Sequence, residues 1–380
     1  MNTPMTTPMT APQPKPTTKP MNDQERQLSY PLGDTLPEPG ATLEVAPGVR
    51  WLRMGLPFAL DHINLWLLRD EIDAAGGKQQ GWTIVDCGIT NDATRDAWEQ
   101  IFANELQGLP VLRVVVTHMH PDHMGLAHWL TERWSTPERE CRLWMSATDY
   151  NVSRLASSST AGIGGNATAA FMASHGLLDE DSLQKIRART NYYANMVPKI
   201  PERYRRLMDG SVLHINGHEW VCHVGYGHAP EHMSLHCAEL GVLISGDMVL
   251  PRISTNVSVM DLEPEADPLK QYLDSLERMR VIPADTLVLP SHGRPFRGLH
   301  TRIDQLKSHH DDRFADVMAA CAEAPQSAAD LLQVLFKRKL DLHQTTFAMG
   351  ESIAHLNALW LAGKLVRRVD GHGVVRFTTA

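Results

Sequence analysis

Cysteine is scarce in this chain of 380 residues: Cys87, Cys141, Cys222, Cys237 and Cys321 are scattered and form no CxxC pair. That excludes a zinc ribbon and a disulfide framework, and a reducing compartment, the cytoplasm, is expected. Long apolar runs are also missing. The longest near the N-terminus, FALDHINLWLL at 58–68, is interrupted by Asp61 and His62 and is too short to span a bilayer, so no membrane segment is expected. Positive charge is not in surplus. The 36 Lys and Arg against 44 Asp and Glu give a formal net charge of −8, which argues against a general nucleic-acid or anionic-membrane surface. There is no internal repeat. The first 28 residues, rich in Pro, Thr and Met, have too little to bury and read as a disordered tail.

What is present is an alternation of short apolar runs and helical patterns from about residue 42. HINLWLLRD, WTIVDCG, VLRVVVTH and CRLWMSA read as buried strands, with NDATRDAWEQIFANELQ and DHMGLAHWLTERW as helices between them. This predicts a layered α/β fold. A polar, helix-prone stretch follows over 148–209, including STAGIGGNATAAF and PERYRRLMDG. Strand-like runs then return, ending at TLVLPSHG. Beyond residue 298 the apolar spacing becomes helical, and the last segment, KLVRRVDGHGVVRF, reads as a hairpin. The expected organisation is a domain over 42–298 with a helical insertion at 148–209, followed by a winged-helix-like unit over 299–380.

The chemistry is concentrated where one buried strand runs out. VLRVVVTHMHPDHMG places His118, His120, Asp122 and His123 within six positions. A core has no use for them, whereas imidazole and carboxylate on a loop held by a rigid strand suit a metal ion. Three more residues lie directly after predicted strands: His228 in VGYGHAPEH, Asp247 in VLISGDMVL and His292 in LVLPSHGRP.

At these residues the sequence resembles the metallo-β-lactamase superfamily, whose pattern HxHxDH is followed by a distant His, Asp and His. The resemblance covers about 42–298 and implies a four-layer αββα sandwich. It implies that His118, His120 and His228 hold one ion, that Asp122, His123 and His292 hold another, and that Asp247 bridges them. Two zinc ions are expected, although imidazole-rich sites also accept iron or manganese. The expected reaction is hydrolysis by an activated water, with Asp122 orienting the nucleophile and passing a proton. Asp86 matches the family's early strand-end Asp and would support the metal loop from behind. His232 is a candidate supporting or substrate-contacting histidine.

Departures from the pattern narrow the chemistry. Two-metal zinc β-lactamases carry Cys where this chain has Asp247, and flavodiiron proteins carry Glu where it has His120. Glyoxalase II, lactonases, some ribonucleases and persulfide dioxygenases share its ligands. A small acyl substrate, a thioester or lactone, is the expected choice. A single-strand-specific endoribonuclease and a mononuclear-iron persulfide dioxygenase are the alternatives. Tyr192, Tyr193, Arg203, Tyr204, Arg205 and Arg206 lie in the insertion expected to cover the site and are candidate contacts for an anionic substrate. From His300 onward ten Lys and Arg face nine Asp and Glu, too even a balance for a domain that grips phosphates. That unit is expected to pack on the hydrolase core or to make an oligomer contact.

Overall fold

The computed structural model describes residues 20–58, 60–74, 77–159 and 164–380. Seven strands form the first sheet in sequence order: β1 (Leu43–Ala46), β2 (Val49–Gly55), β3 (His62–Ala74), β4 (Gly77–Val85), β5 (Val111–Val115), β6 (Arg142–Ser146) and β7 (Tyr204–Leu207). β1 to β4 pair antiparallel, whereas β4 to β7 run parallel. The parallel crossovers are made by helices: α1 (Asp92–Asn104), then the short α2 (Pro121–Met124) with α3 (Ala127–Trp134), then α4 (Ala147–Ser158), α5 (Gly165–Ser174), α6 (Glu180–Arg187) and α7 (Tyr192–Met196). The second sheet holds β8 (Val212–Ile215), β9 (His218–Gly225), β10 (His232–Cys237), β11 (Val242–Gly246) and β12 (Leu287–Pro290), with α8 (Pro268–Arg278) between the last two.

Alternation along the strands explains why the sheets stack. Trp51, Trp66, Leu213, Trp220, Leu235 and Leu289 point between the sheets and are buried. The opposite face of the first sheet carries Leu65, Ile84 and Val114 against Trp98 and Ile101 of α1 and Leu130 of α3. The outer face of the second sheet packs Leu243 and Val288 against Leu269 and Tyr272 of α8. The result is the expected four-layer sandwich, with each apolar face buried against another element. Because β4, β5 and β6 are parallel, their C-terminal ends share one edge, and the loops that follow collect there.

The last part of the chain contains α9 (Leu299–Glu323), α10 (Leu332–Leu335), α11 (Leu342–Leu361) and a hairpin of β13 (Leu365–Val369) and β14 (Val375–Thr379). Three expectations need correction. Residues 20–28, assigned to a tail, are docked, with Gln24 accepting from Arg302 and Ser29 bridging to Arg297. Residues 1–19 lie outside the described residues. The stretch PERYRRLMDG, read as helix-prone, supplies β7, because its backbone completes the parallel edge beside β6 and Leu207 is buried between the sheets. The insertion, expected to cover the site, instead sends α5 and α6 to the C-terminal helices: Phe171, Met172, Leu183 and Ile186 share a core with Leu331 and Leu335, and Ala329 N–H donates to the His175 carbonyl.

Two buried histidines join α9 to α11. His355 Nδ1–H donates to the Glu351 carbonyl at 2.8 Å, leaving its Nε2 to accept from His310 Nδ1 at 3.3 Å. Burial lowers His310 to about 2, with His355, His309 and Arg313 adding to the effect, and lowers His355 to about 4. Both folded-state values lie below the ordinary histidine range near 6.5, so the unfolded chain takes up protons first as pH falls. Their contribution to stability is therefore complete above about pH 6.5 and is lost progressively as pH falls toward about 4 for His355 and about 2 for His310. Thermal unfolding at pH 5 and pH 7 should show a lower midpoint at pH 5. His310→Phe, which keeps a ring beside Tyr272, should flatten that dependence, and an unchanged pH slope in the variant would refute the assignment.

Candidate metal centre

The backbone at the shared strand edge prepares the site. Asp86, one residue past β4, takes a left-handed conformation with φ of 63°, rare for a residue with a Cβ and tolerated because its carboxylate is fully used. Its Oδ1 accepts the Thr117 N–H at 2.8 Å and its Oδ2 accepts His123 Nδ1–H at 2.8 Å. Pro121 at the first position of α2 keeps His120 extended, which separates it from the helical turn carrying Asp122 and His123.

His118 Nε2, His120 Nδ1 and His228 Nε2 converge on one point, 2.8, 3.0 and 3.2 Å from one another. The far nitrogen of His228, Nδ1, donates to the Asn256 carbonyl at 2.8 Å, which turns Nε2 toward the other two rings. Three ring nitrogens packed this closely cannot all be satisfied by hydrogen bonds among themselves. Ligands on a tetrahedral zinc with bonds of 2.0–2.1 Å stand roughly 3.3 Å apart, so the triangle is close to what such an ion requires.

A second group lies beside it. His292 Nε2 is 3.5 Å from both Asp122 Oδ2 and Asp247 Oδ1, and His123 Nε2 is 3.7 and 3.6 Å from the same two oxygens. His123 Nε2 and Asp247 Oδ1 are buried without a hydrogen-bond partner. Asp247 turns its other oxygen, Oδ2, to His228 Nε2 at 3.3 Å, so one carboxylate faces both groups. His292 is oriented by donation from Nδ1 to the His62 carbonyl at 2.7 Å. The donors fall into three overlapping groups, His118 with His120 and His228, His118 with His123 and Asp247, and Asp122 with His123 and His292, a set of imidazoles and carboxylates that fits metal binding.

The electrostatics agree with that fit. Burial and neighbouring imidazoles push His118 and His120 well below the ordinary histidine range, which keeps them neutral and able to bind a metal. Burial also disfavours charge on His123, but the carboxylates of Asp86, Asp122 and Asp247 outweigh it and raise His123 to about 10. Burial opposes charge on Asp247 too, yet His292 and His123 hold it well below the carboxylate range. An excess of negative charge that retains a proton on a buried imidazole is the field that would retain a cation in its place.

Supporting residues complete the picture. His232 Nε2 accepts the Asp247 N–H at 3.1 Å, so this histidine fixes the backbone of the shared carboxylate from behind. Gly246, with φ of 52°, leaves the space that this requires: a Cβ there would stand 2.3 Å from His232 Nε2. Sequence reasoning missed Asp149. Its buried carboxylate accepts the Met119 N–H at 2.8 Å and the Glu231 N–H at 2.7 Å, tying the first metal loop to the loop of His228. Burial raises it to about 6. The available signal was its place in SATD after a strand, which reads as a helix cap, and Ser146 does cap α4 there.

The candidate substrate residues divide. Tyr193 is buried and its hydroxyl donates to the Met119 carbonyl, so it braces the metal loop. Arg203 pairs with Glu140 and Tyr204 stacks on Tyr150, at the start of β7 and hence at the sheet edge away from the metal loop. Arg205 lies over Trp144, and Arg206 is exposed on the same edge strand. Tyr192 turns the other way, toward the C-terminal unit, with its hydroxyl 3.2 Å from His343 Nδ1 of α11.

Residues 59–292 match the family model described as the metallo-β-lactamase superfamily, and residues 314–380 match one described as its C-terminal domain. The chain is 57% identical to a β-lactamase domain protein from Burkholderia ambifaria, covering 94% of this chain and 100% of that one with a TM-score of 0.88. It is 27% identical to a metallo-β-lactamase family protein from Thermus thermophilus, covering 89% and 100% with a TM-score of 0.67. A Bacillus subtilis protein named probable metallo-hydrolase YqjP is 24% identical over 326 residues, 81% of this chain and 91% of its own. With the sandwich, the paired histidine and aspartate clusters and these matches in agreement, the chain belongs to the metallo-β-lactamase superfamily and is a metal-dependent hydrolase.

Proposed function

We propose that the protein hydrolyses a small acyl substrate, a thioester or a lactone, at a centre of two zinc ions. The observation that carries this reading is Asp247, which faces both ligand clusters with separate oxygens. When bound, such ions supply an acidified water and polarise the oxygen of the bond to be cleaved. The protein's part is positional. His118, His120 and His228 would hold one ion, Asp122, His123 and His292 the other, and the partly exposed carboxylate of Asp122 would be the group to accept a proton. Asp86, His232 and Asp149 keep these groups in register.

The choice of an acyl substrate over RNA rests on an aromatic group whose segments adjoin the metal loops. Phe58 stacks on His343, His343 meets Phe347 edge-on, and Tyr192 reaches the same imidazole. Each contributing segment is anchored to a metal loop. Phe58 is four residues from His62, Tyr192 adjoins Tyr193, and His343 and Phe347 share a face of α11 with Glu351 beside Asn256. Phe58 and Phe347 are more than a third exposed, an apolar surface that suits an acyl chain better than a polyphosphate track. Among the described residues no helix is long and apolar enough to cross a membrane. All five cysteines are free and buried, in keeping with a cytoplasmic location.

The test is metal analysis of purified protein with a panel of thioesters, lactones, phosphodiesters and single-stranded RNA. Close to two zinc ions per chain and turnover of thioesters or lactones are expected, with Phe347→Ala raising KM for long acyl chains more than for acetyl. One tightly bound iron with persulfide oxidation would replace this reading by a dioxygenase. Cleavage of RNA with indifference to every acyl substrate would replace it by a ribonuclease.

A further inference from the structure

The segment 254–260 lies between the Asp247 loop and α8 and forms no strand or helix. It nevertheless carries the Asn256 carbonyl, which accepts His228 Nδ1–H at 2.8 Å and so aims His228 Nε2 at its two partner histidines. A carbonyl that must hold an imidazole needs its own backbone held, and no sheet ladder does this here. Helix α11 does. The Gly350 carbonyl accepts the Val259 N–H at 3.1 Å, Asn256 Nδ2–H reaches Glu351 Oε2 at 3.5 Å, and Ser258 Oγ–H donates to Asn256 Oδ1 at 2.7 Å, locking the Asn256 side chain from the other end. Val257 and Val259 anchor the segment in the core shared with Met349 and Ile353.

Gly350 is the informative residue. Glycine in the interior of a 20-residue helix is unfavourable in propensity. Its missing side chain has a spatial reason: a Cβ at this position would stand 2.7 Å from both Cβ and Oγ of Ser258. The helix therefore approaches the segment at backbone distance, close enough for its carbonyl to reach Val259. Glu351, next along, is a half-buried carboxyl pushed up to about 7 by burial, a costly placement for a residue with no role.

We infer that α11 of the C-terminal unit is a positioning element of the metal centre, in which Gly350 and Glu351 hold residues 256–259 so that the Asn256 carbonyl orients His228. This rests on the metal-centre reading above and extends it to a part of the chain remote in sequence from His228. The C-terminal unit thereby acquires a role in metal affinity that simple packing would not give it. Gly350 and Glu351 belong to none of the ligand groups, and in this inference they act through His228.

The experiment is zinc affinity by chelator competition on the full-length protein, resolving the two ions, for the natural chain and for Gly350→Ala, Ser258→Gly and the double variant. Gly350→Ala should weaken one ion by about 10–100-fold, the range seen when partners of a metal-bound histidine are lost, and leave the other unchanged. Ser258→Gly alone should cost less, and in the double variant it should restore most of the lost affinity by making room for the new Cβ. A generally destabilised fold would weaken both ions and would not be rescued. If Gly350→Ala does not fold, Glu351→Ala against Glu351→Gln decides: the alanine should weaken the same ion, while the glutamine keeps an acceptor for Asn256 and should retain it. Undiminished affinity in both Gly350→Ala and Glu351→Ala would overturn the inference. Failure of the natural chain to bind zinc would instead remove the metal-centre reading itself.

Discussion

Replacing Asp247 with alanine is expected to remove one ion of the pair, weaken the other, and abolish turnover while leaving the fold intact. The carboxylate stands with Oδ2 3.3 Å from His228 Nε2 and Oδ1 3.5 Å from His292 Nε2, so its loss strips a negative charge from both clusters at once. The first cluster would keep three imidazoles, a sufficient set for one zinc. The second would be left with Asp122 and two histidines, open to solvent on the vacated side. The rate should fall by more than the roughly 10–100-fold that partners of metal-bound ligands cost, because here a ligand itself is lost. The fold should hold, since β11 and β12 are fixed by buried Leu243, Ile244, Val288 and Leu289. The Asp247 backbone would also keep its bonds to His232 and Thr255. Elemental analysis and far-UV circular dichroism test this directly. Two ions retained in a folded, active variant would show that Asp247 is not shared.

The part of the site legible in the sequence was the part encoded by local pattern. Strand ends announce themselves by an apolar β-branched run that stops, and His118 to His123, His228, Asp247 and His292 all follow such stops. Asp86 was visible only through the family resemblance. Residues that act through one side chain on a distant backbone group left no such trace. Asp149 joins Met119 to Glu231, the latter 82 residues further on, and no spacing rule connects them. Asn256 contributes a main-chain carbonyl, which any residue could supply, and Gly350 contributes the absence of a Cβ. The arginines of 203–206 were misplaced because their stretch was read as part of a helical cover. The edge strand Tyr204–Leu207, paired to β6, instead carries Arg205 and Arg206, with Arg203 just before it, at the start of a strand whose far end faces the metal loop. The periodicity of α11 was plain in the sequence, but periodicity gives the face that is buried and not what it is buried against.

Asp122→Asn is expected to separate catalysis from folding more cleanly than any other change at this centre. The carboxylate sits in the single turn of α2, partly exposed, with Oδ2 3.5 Å from His292 Nε2 and 3.7 Å from His123 Nε2. Its backbone needs nothing from its charge, because α2 is built on Pro121 and on the His120 carbonyl, which accepts from His123 and Met124. Asparagine preserves the shape and one carbonyl oxygen. It removes the negative charge that helps hold a cation between His123 and His292. It also removes the one basic oxygen of the pair not committed to both clusters, the oxygen able to take a proton from an attacking water. Loss of a general base costs about 10²–10⁴-fold in rate, and weaker retention of the second ion adds to it. The unfolding midpoint should stay close to that of the natural chain, since a partly exposed carboxylate among two histidines contributes little net stability. Raising the zinc concentration should recover occupancy in the variant without recovering the rate, because saturation replaces the lost affinity and cannot replace the base. If added zinc restored both, Asp122 would be a ligand only, and the proton would have to leave by another group.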